Sequence, residues 1–306
     1  MKLSVFGAFS LLGQHLIGRL LQHPVLEIVN LHDHRHGESP ATVPWFADAA
    51  ARDFALRMPV LSPMDAPAGD LILSFLPDQG AEDIETHHLQ NGHRILSHCE
   101  YARHRGLLML PEVLEPDTND HPLLATPNCT TAICALPLAL IHAAFGLEAV
   151  HVTTLQAVSG TDLPGMPAYQ AHDHVVSSLM GEAAALETEL AHIFDAAFAI
   201  SCVATRVPVW RGHTMSLMLK LSSNPQAAEL AQVLGAHPQL DVLDPQDRFQ
   251  VWRPEFSDPD RLCTVESIDR GQDGWVKMSL RGDNLGAATT GLMTDLTLSL
   301  QKSGTT

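Results

Sequence analysis

The stretch Ala125–Phe145, ATPNCTTAICALPLALIHAAF, sets one cysteine, Cys129, between a Pro-Asn pair and a long apolar run. Asn128 is a residue type favoured as a helix N-cap, Pro127 restricts the entry, and Thr130 and Thr131 suit a first turn. The thiol therefore falls at a helix N-terminus. There the partial positive charge of the backbone N–H groups favours thiolate, whereas an isolated thiol of pKa about 8.5 is mostly protonated at neutral pH. A free cysteine is also at home as a small buried residue. That second reading suits Cys134, Cys202 and Cys263, which lie in apolar contexts.

A partner for the thiol stands in Arg206-Val207-Pro208-Val209-Trp210-Arg211-Gly212-His213. His213 follows a glycine at the end of a strand, and a neutral imidazole there could take or return a proton. Arg206 can bind a carboxylate through two parallel hydrogen bonds. Taken singly, each has a plainer reading, as a surface histidine and as an arginine paired with one of the many acids. With Gln156, in LQAVSG, they form a constellation.

Gly7-Ala8-Phe9-Ser10-Leu11-Leu12-Gly13 lies where a dinucleotide-binding turn belongs, after a strand and before a helix. In such a turn one glycine allows the bend, another the approach of pyrophosphate, and another close helix packing. Ser10 stands in the middle place, and with Phe9 it crowds the turn. A strand-to-helix turn without a ligand explains the same residues. After the second strand comes His32-Asp33-His34-Arg35-His36. Asp33 would suit the ribose hydroxyls of NAD and Arg35 the 2′-phosphate of NADP. His32, His34 and His36 would share a face if extended and could then grip a metal. A solvated loop explains the same letters, and no metal is expected.

These groups must be held by a frame, and the opening reads as a βαβ unit: strand Leu3–Phe6, helix Leu11–Leu21, strand Leu26–Leu31. Further strands at Asp70–Leu76, Ile95 and Leu107–Leu110, with a helix at Ala81–Leu89, fit a parallel sheet covered by helices. After Asn128 the pattern changes. A helical run follows, which Pro137 should kink or break. Then come the alternating strand Ala149–Val158, a loop rich in glycine and proline, and a helix at His174–Phe194. Strands recur at Ala199–Val209, Thr214–Leu221, Leu262–Ser267 and Gly274–Leu280, with a short helix at Gln226–Leu234. From Asn284 to Gln301 the helical spacing returns, suggesting a last helix that packs back on the first domain.

A chain of 306 residues suits two domains, and 45% hydrophobic with 17% charged residues fits a globular protein rather than a disordered one. The net charge, 18 − 35 = −17, repels phosphate backbones and anionic lipid surfaces, so nucleic acid and membrane are not expected partners. The five cysteines are scattered without C-x-x-C pairs, which indicates neither a disulfide framework nor a zinc ribbon. With no long apolar run and no signal-peptide pattern at MKLSVFGAF, the chain reads as cytoplasmic.

TPNCTT, LQAVSG, RVPVWRGH and GDNLGAA occur in the order and rough spacing of the aspartate-semialdehyde dehydrogenase family, which the chain resembles from GAFSLLG to GDNLGAA. The resemblance implies an α/β fold: an N-terminal NADP-binding Rossmann domain, a central α/β domain that is catalytic and forms a dimer interface, and a C-terminal helix returning to the first domain. On this chain the boundaries would be 1–126 with 285–306, and 127–284. It also implies NADP as cofactor, a small-molecule substrate, a homodimer or dimer of dimers, and reductive dephosphorylation of aspartyl 4-phosphate to the semialdehyde in amino-acid biosynthesis. Cys129 would be the nucleophile, His213 the acid-base group and Gln156 the group orienting the thiol. Arg206, Asn128, Glu182 and Arg103 would bind substrate. Gly7, Ser10, Leu11, Leu12, Gly13, Arg35, Ser159, Gly160 and Asn284 would bind cofactor.

The chain departs from the family where anions bind. The family's Glu-x-x-Lys pair is met by Glu182, but the lysine's place falls in Ala183-Ala184-Ala185. The family's second phosphate-binding arginine is met by Arg103 or Arg105 in a shorter loop, and the Arg-Lys that follows DNL is absent. Losing one charged hydrogen bond to phosphate costs about 1.5–3 kcal/mol, a ten- to hundredfold loss of affinity that leaves thiol chemistry intact. Besides the dehydrogenase, a relative acting on another semialdehyde or an acyl thioester, or a non-catalytic dimeric binding protein, fits these departures.

Overall fold

The computed structural model describes residues 1–247 and 261–304. They form two compact units, one from Met1–Asn128 with Thr289–Thr306 and one from Cys129–Ala288. No helix among the described residues is long and apolar enough to cross a membrane.

The first unit is built on strands β1 (Lys2–Phe6), β2 (Glu27–His32), β3 (Val60–Leu61), β4 (Leu71–Ser74), β5 (Ile95–Ser97), β6 (Leu107–Leu108) and β7 (Leu123–Ala125). They lie in the order β3-β2-β1-β4-β5-β7-β6, and every pairing is parallel. Leu3, Ser4, Val5 and Phe6 are all buried, as a central parallel strand covered on both faces requires. Helices α1 (Leu11–Leu20), α2 (Ala49–Ala55), α3 (Asp78–Gln90) and α4 (Glu100–Arg105) connect the strands. The strand order reverses between β1 and β4, the position at which open α/β sheets leave a crevice.

Gly7 closes β1 at that reversal with φ +73°, and a Cβ there would lie 2.2 Å from the Phe75 carbonyl oxygen. Gly13 packs α1 on the turn so closely that its Cβ would lie 2.1 Å from the Gly7 oxygen. Both positions exclude side chains. The last helix, α9 (Leu292–Ser303), buries Leu292, Met293, Leu296 and Leu300 and packs on α1. It follows a π-helical turn at Gly286–Gly291, where the sequence pattern suggested one continuous helix from Asn284.

The second unit holds a mixed six-stranded sheet of β8 (Leu147–Gln156), β9 (Ala199–Arg206), β10 (His213–Leu221), β11 (Leu240–Val242), β12 (Cys263–Arg270) and β13 (Trp275–Gly282). The order is β11-β12-β13-β10-β8-β9, with β8 and β9 parallel and β10 antiparallel to both of its neighbours. Helices α5 (Cys129–Phe145), α7 (Glu182–Ile193) and α8 (Ala227–Gly235) pack on it, and a single short turn, α6 (Ala168–Ala171), lies in the connection before α7.

Two expectations fail here. Pro137 does not break α5, which runs unbroken from Cys129 to Phe145. An internal proline costs about 3 kcal/mol. Burying Ile133, Leu136, Leu138 and Ile141 yields about 1.5–3 kcal/mol each, so packing outweighs the lost hydrogen bond. The helix expected over His174–Phe194 starts only at Glu182, because Gly181 takes φ +81° and Val176 is drawn into an antiparallel bridge with Arg206.

In the core of the first unit Glu85 is fully buried. It accepts hydrogen bonds from Ser97 Oγ (3.0 Å), the Cys99 thiol (3.2 Å) and Tyr101 Oη (2.5 Å). Burial raises its pKa, outweighing the hydrogen bonds from Ser74, Tyr101, Cys99 and Ser97. The folded state thus holds this proton more tightly than the unfolded chain. Its contribution to stability is whole below the ordinary glutamate range near ~4.3 and is lost as pH rises through the raised value. Urea unfolding from pH 4 to pH 8 is expected to show this decline, and Glu85→Gln to flatten it.

Candidate active site

Register brings the site together. Gln156 ends β8 and Arg206 ends β9 as paired neighbours, while His213 begins β10, next to β8 on its other side. His213 also pairs with Gly282 at the end of β13, which brings Asp283 and Asn284 to the same sheet end. Cys129 is the first residue of α5 and is half-buried. Its Sγ lies 3.3 Å from His213 Nε2. The thiol and imidazole singled out in the sequence thus meet across 84 residues of chain.

Ala157, just past β8, ties the basic groups together. Its N–H donates to His213 Nδ1 at 3.0 Å, and its carbonyl oxygen accepts from Arg206 Nη1 at 2.7 Å. The loop after β8 is laced to the loop after β9 by Val158 N–H to the Val209 oxygen (2.7 Å) and Ser159 N–H to the Trp210 oxygen (3.0 Å). Gly160 leaves room for both side chains: a Cβ there would lie 2.7 Å from Arg206 Nη1 and 3.2 Å from His213 Cε1.

His213 is wholly enclosed. Burial first, and then the Arg206 charge, push its pKa down to about 3, against a smaller opposing pull from Asp283. The imidazole is therefore neutral at physiological pH. Arg206 is 5% exposed, and burial lowers its pKa while Glu182 and Cys129 oppose that shift. A guanidinium starts near ~12.5, so it stays charged, a buried cation beside the sulfur. Glu182, at the N-terminus of α7, lies within 3.4 Å of Gln156 Nε2, which also donates to Thr154 Oγ1 at 3.3 Å. Gln156 is thereby turned by Thr154 and Glu182.

Asn284 is buried and accepts from Gly212 N–H (3.0 Å) and Ser159 Oγ (3.2 Å) through Oδ1, which fixes the direction of its amide NH2. Arg211 and Asp283 form a two-pronged pair at 2.8 and 2.6 Å. That pair neutralises itself. Ala157, Thr154 and the Arg211–Asp283 pair were not among the expected site residues. Arg211 and Asp283 stand inside the quoted motifs, but Ala157 acts through its backbone, which has no residue-type signal.

The glycine turn belongs to the first unit. Ser10 Oγ donates to the Gly7 oxygen (2.7 Å) and accepts from Gly13 N–H (3.0 Å), so Ser10 is the N-cap of α1. Asp33 is buried and accepts from Phe9 N–H (2.8 Å) and Arg35 N–H (3.0 Å). Its carboxylate braces the turn. Arg35 donates to the Phe9 oxygen at 2.8 Å and lies over the Phe9 ring, 5.2 Å from its centroid. Leu11 and Leu12 begin α1, with their N–H groups directed out of the helix start.

Arg103 is held within the first unit by a hydrogen bond to the His98 oxygen (2.6 Å), and Arg105 pairs with Glu82 (2.9 Å). Asn128 directly precedes Cys129 at the boundary of the two units. His32 ends β2 buried, while His34 and His36 lie exposed in the turn beyond it. They do not share a strand face. Among the described residues no three His, Cys, Asp or Glu side chains are placed to hold a metal.

No protein-family model matches the chain. It is similar along most of its length to curated aspartate-semialdehyde dehydrogenases. That of Methanothermobacter thermautotrophicus is 26% identical over 91% of this chain and 88% of the relative. That of Cryptococcus neoformans is 29% identical over 73% and 71%. The fold matches the NADP-bound aspartate-semialdehyde dehydrogenase of Candida albicans at a TM-score of 0.82 and 23% identity, covering 98% of this chain and 99% of that one. It also matches aspartate-semialdehyde dehydrogenase II of Vibrio cholerae complexed with ASA, at a TM-score of 0.83 and 15% identity, covering 98% of each. The resemblance carried by four short motifs thus extends to the whole fold.

Gly160→Ala tests the packing of the site without removing any functional group. Its methyl group must displace the Arg206 guanidinium or the His213 ring, so alkylation of Cys129 by iodoacetamide is expected to slow severalfold while the circular dichroism spectrum stays unchanged.

Proposed function

We propose that this protein is an NADP-dependent aspartate-semialdehyde dehydrogenase that interconverts aspartyl 4-phosphate and aspartate 4-semialdehyde through a thioester on Cys129. The observation that carries the reading is the 3.3 Å contact between Cys129 Sγ and His213 Nε2, beside the buried Arg206. In the direction of oxidation, the Cys129 sulfur adds to the aldehyde carbon and holds the tetrahedral adduct. His213 bonds the sulfur or the oxygen formed from the aldehyde. Arg206 receives the substrate α-carboxylate, with Nη1 kept on Ala157 and its remaining N–H groups turned to the ligand. Glu182 meets the substrate amino group, and Asn128 helps to hold the acyl oxygen or phosphate.

The residues fit NADP: a glycine turn where no Cβ is tolerated, a helix start at Leu11 and Leu12, and Arg35 as the cation beside Phe9 for a 2′-phosphate. When bound, NADP supplies the hydride acceptor or donor for the acyl carbon. Gly7, Ser10 and Gly13 shape the turn, and the resemblance adds Ser159, Gly160 and Asn284 as cofactor-binding residues. Arg103, the remaining phosphate ligand carried over by resemblance, keeps Nη2 on the His98 oxygen.

A homodimer fits the uncovered sheet face of the second unit, where Val203 and Met218 are each 40% exposed, and the nearby Trp210, which is 58% exposed. Amino-acid biosynthesis in the cytoplasm is the setting consistent with the reaction. A second reading is favoured by Ala183, Ala184 and Ala185 in the first turn of α7, which bring no cation beside Glu182. On that reading the same thioester is released to an acceptor other than phosphate.

Cys129→Ala is expected to abolish phosphate-dependent reduction of NADP by aspartate semialdehyde; activity unchanged by the substitution would mean that another nucleophile acts. Ala185→Lys distinguishes the two acceptors. If phosphate is the acceptor, the added cation is expected to lower the KM for phosphate about tenfold or more, one charged hydrogen bond's worth. No change would favour the second reading.

A further inference from the structure

The Ala157 peptide determines which form of His213 can exist. A backbone N–H is an obligatory donor, so the nitrogen it meets at 3.0 Å must present a lone pair. That nitrogen is Nδ1. The neutral ring carries its one proton on the other nitrogen, Nε2, which faces the Cys129 sulfur at 3.3 Å. An imidazolium would need a second proton at Nδ1, pointed into the Ala157 N–H.

We propose, resting on the dehydrogenase reading above, that Ala157 locks His213 as the neutral Nε2–H tautomer. His213 then serves Cys129 and the substrate oxygen as a fixed hydrogen-bond donor, not as a base that becomes imidazolium. Ala157 is the positioning residue, acting through its backbone.

The charged groups around the ring agree with this assignment. Arg206 from β9 opposes a second positive charge, and Asp283, which favours one, is already occupied by Arg211 on both oxygens. Cys129 from α5 faces Nε2, and Glu182 from α7 acts on Arg206. Enclosure adds the largest penalty, since no water reaches the ring to solvate a cation.

The reaction balances without proton transfer to histidine. Cys129 loses its proton to solvent before reaction. The thiolate pair forms the C–S bond, and the carbonyl π pair becomes an oxyanion that accepts the Nε2–H. With NADP bound, the oxidised nicotinamide would take hydride, with its electron pair, from that carbon, and the oxyanion pair would re-form C=O to leave the thioester. Hydrogen phosphate adds to that carbonyl and expels the Cys129 thiolate, its proton going to solvent. A neutral imidazole acting as donor in this way is an established device in enzymes.

The direct test is long-range ¹H–¹⁵N spectroscopy of the full-length protein labelled at histidine, with His213 assigned by difference against His213→Gln. From pH 5 to pH 8 the expected pattern is Nε2 protonated and Nδ1 bare throughout. Imidazolium signals, or a proton on Nδ1, at any pH in that range would overturn the proposal. Should His213→Gln fail to fold, the pH profile of Cys129 alkylation in the wild-type protein decides. A single step, the thiol's own, is expected; a second step between pH 5 and pH 8 overturns it.

Turnover supplies another readout. His213→Ala is expected to lower kcat about 10²–10³-fold, as for loss of one oxyanion donor. His213→Gln places an amide N–H near the former Nε2 and is expected to recover at least tenfold of that loss; glutamine no better than alanine would refute the donor role. A wild-type protein inactive with the semialdehyde, yet showing the Nε2–H pattern, would remove the dehydrogenase reading and leave the tautomer standing.

Discussion

Two bonds to Ala157, one from its N–H to His213 and one to its carbonyl oxygen from Arg206, hold the imidazole and the guanidinium in register. Everything the sulfur meets depends on that arrangement. The bonds exist because β9, β8 and β10 lie side by side and the chain leaves or enters each of them at one end of the sheet. The Ala157 N–H and carbonyl oxygen are both bonded, and the enclosure that would make an unpaired group costly makes these two bonds directional. Gly160 completes the arrangement by occupying no space.

The charge balance around Cys129 follows from the same enclosure. Arg206 is the buried cation beside the sulfur, while Arg211 is consumed by Asp283. A thiolate gains from Arg206, from the helix start and from the Nε2–H, and none of the three requires histidine to be charged. The first turn of α7 adds Glu182 and three alanines, so this side of the site is short of positive charge for a phosphate. Electrostatics thus favours a reactive sulfur more clearly than it favours a tightly held anion.

The first unit solves a different problem, that of opening a helix start while keeping its turn rigid. Gly7 and Gly13 let backbone pass against backbone. Ser10 caps α1, and Asp33 and Arg35 brace Phe9 from beneath and above. In the sequence Asp33 and Arg35 pull the cofactor choice in opposite directions. In the fold Asp33 is buried and its carboxylate accepts from the Phe9 and Arg35 N–H groups.

Much of this was legible from local pattern. The βαβ opening, the strands that carry Gln156 and Arg206, and the candidacy of Cys129 at a helix start all follow from periodicity and capping chemistry, which act over a few residues, whereas His213 falls between two strand patterns in the sequence and opens β10 in the fold. The short strands β3 and β7 and the helices α2 and α4 leave no mark in the sequence pattern, because two- to seven-residue elements carry too little periodicity to stand out. At Pro137, where α5 continues, and at the start of α7, burial and a left-handed glycine override local preference. The residue types capable of chemistry were therefore determined by the sequence alone. That a sulfur and an imidazole 84 residues apart should touch, and that one backbone N–H should choose the imidazole's tautomer, was decided by strand register, which only the tertiary structure supplies.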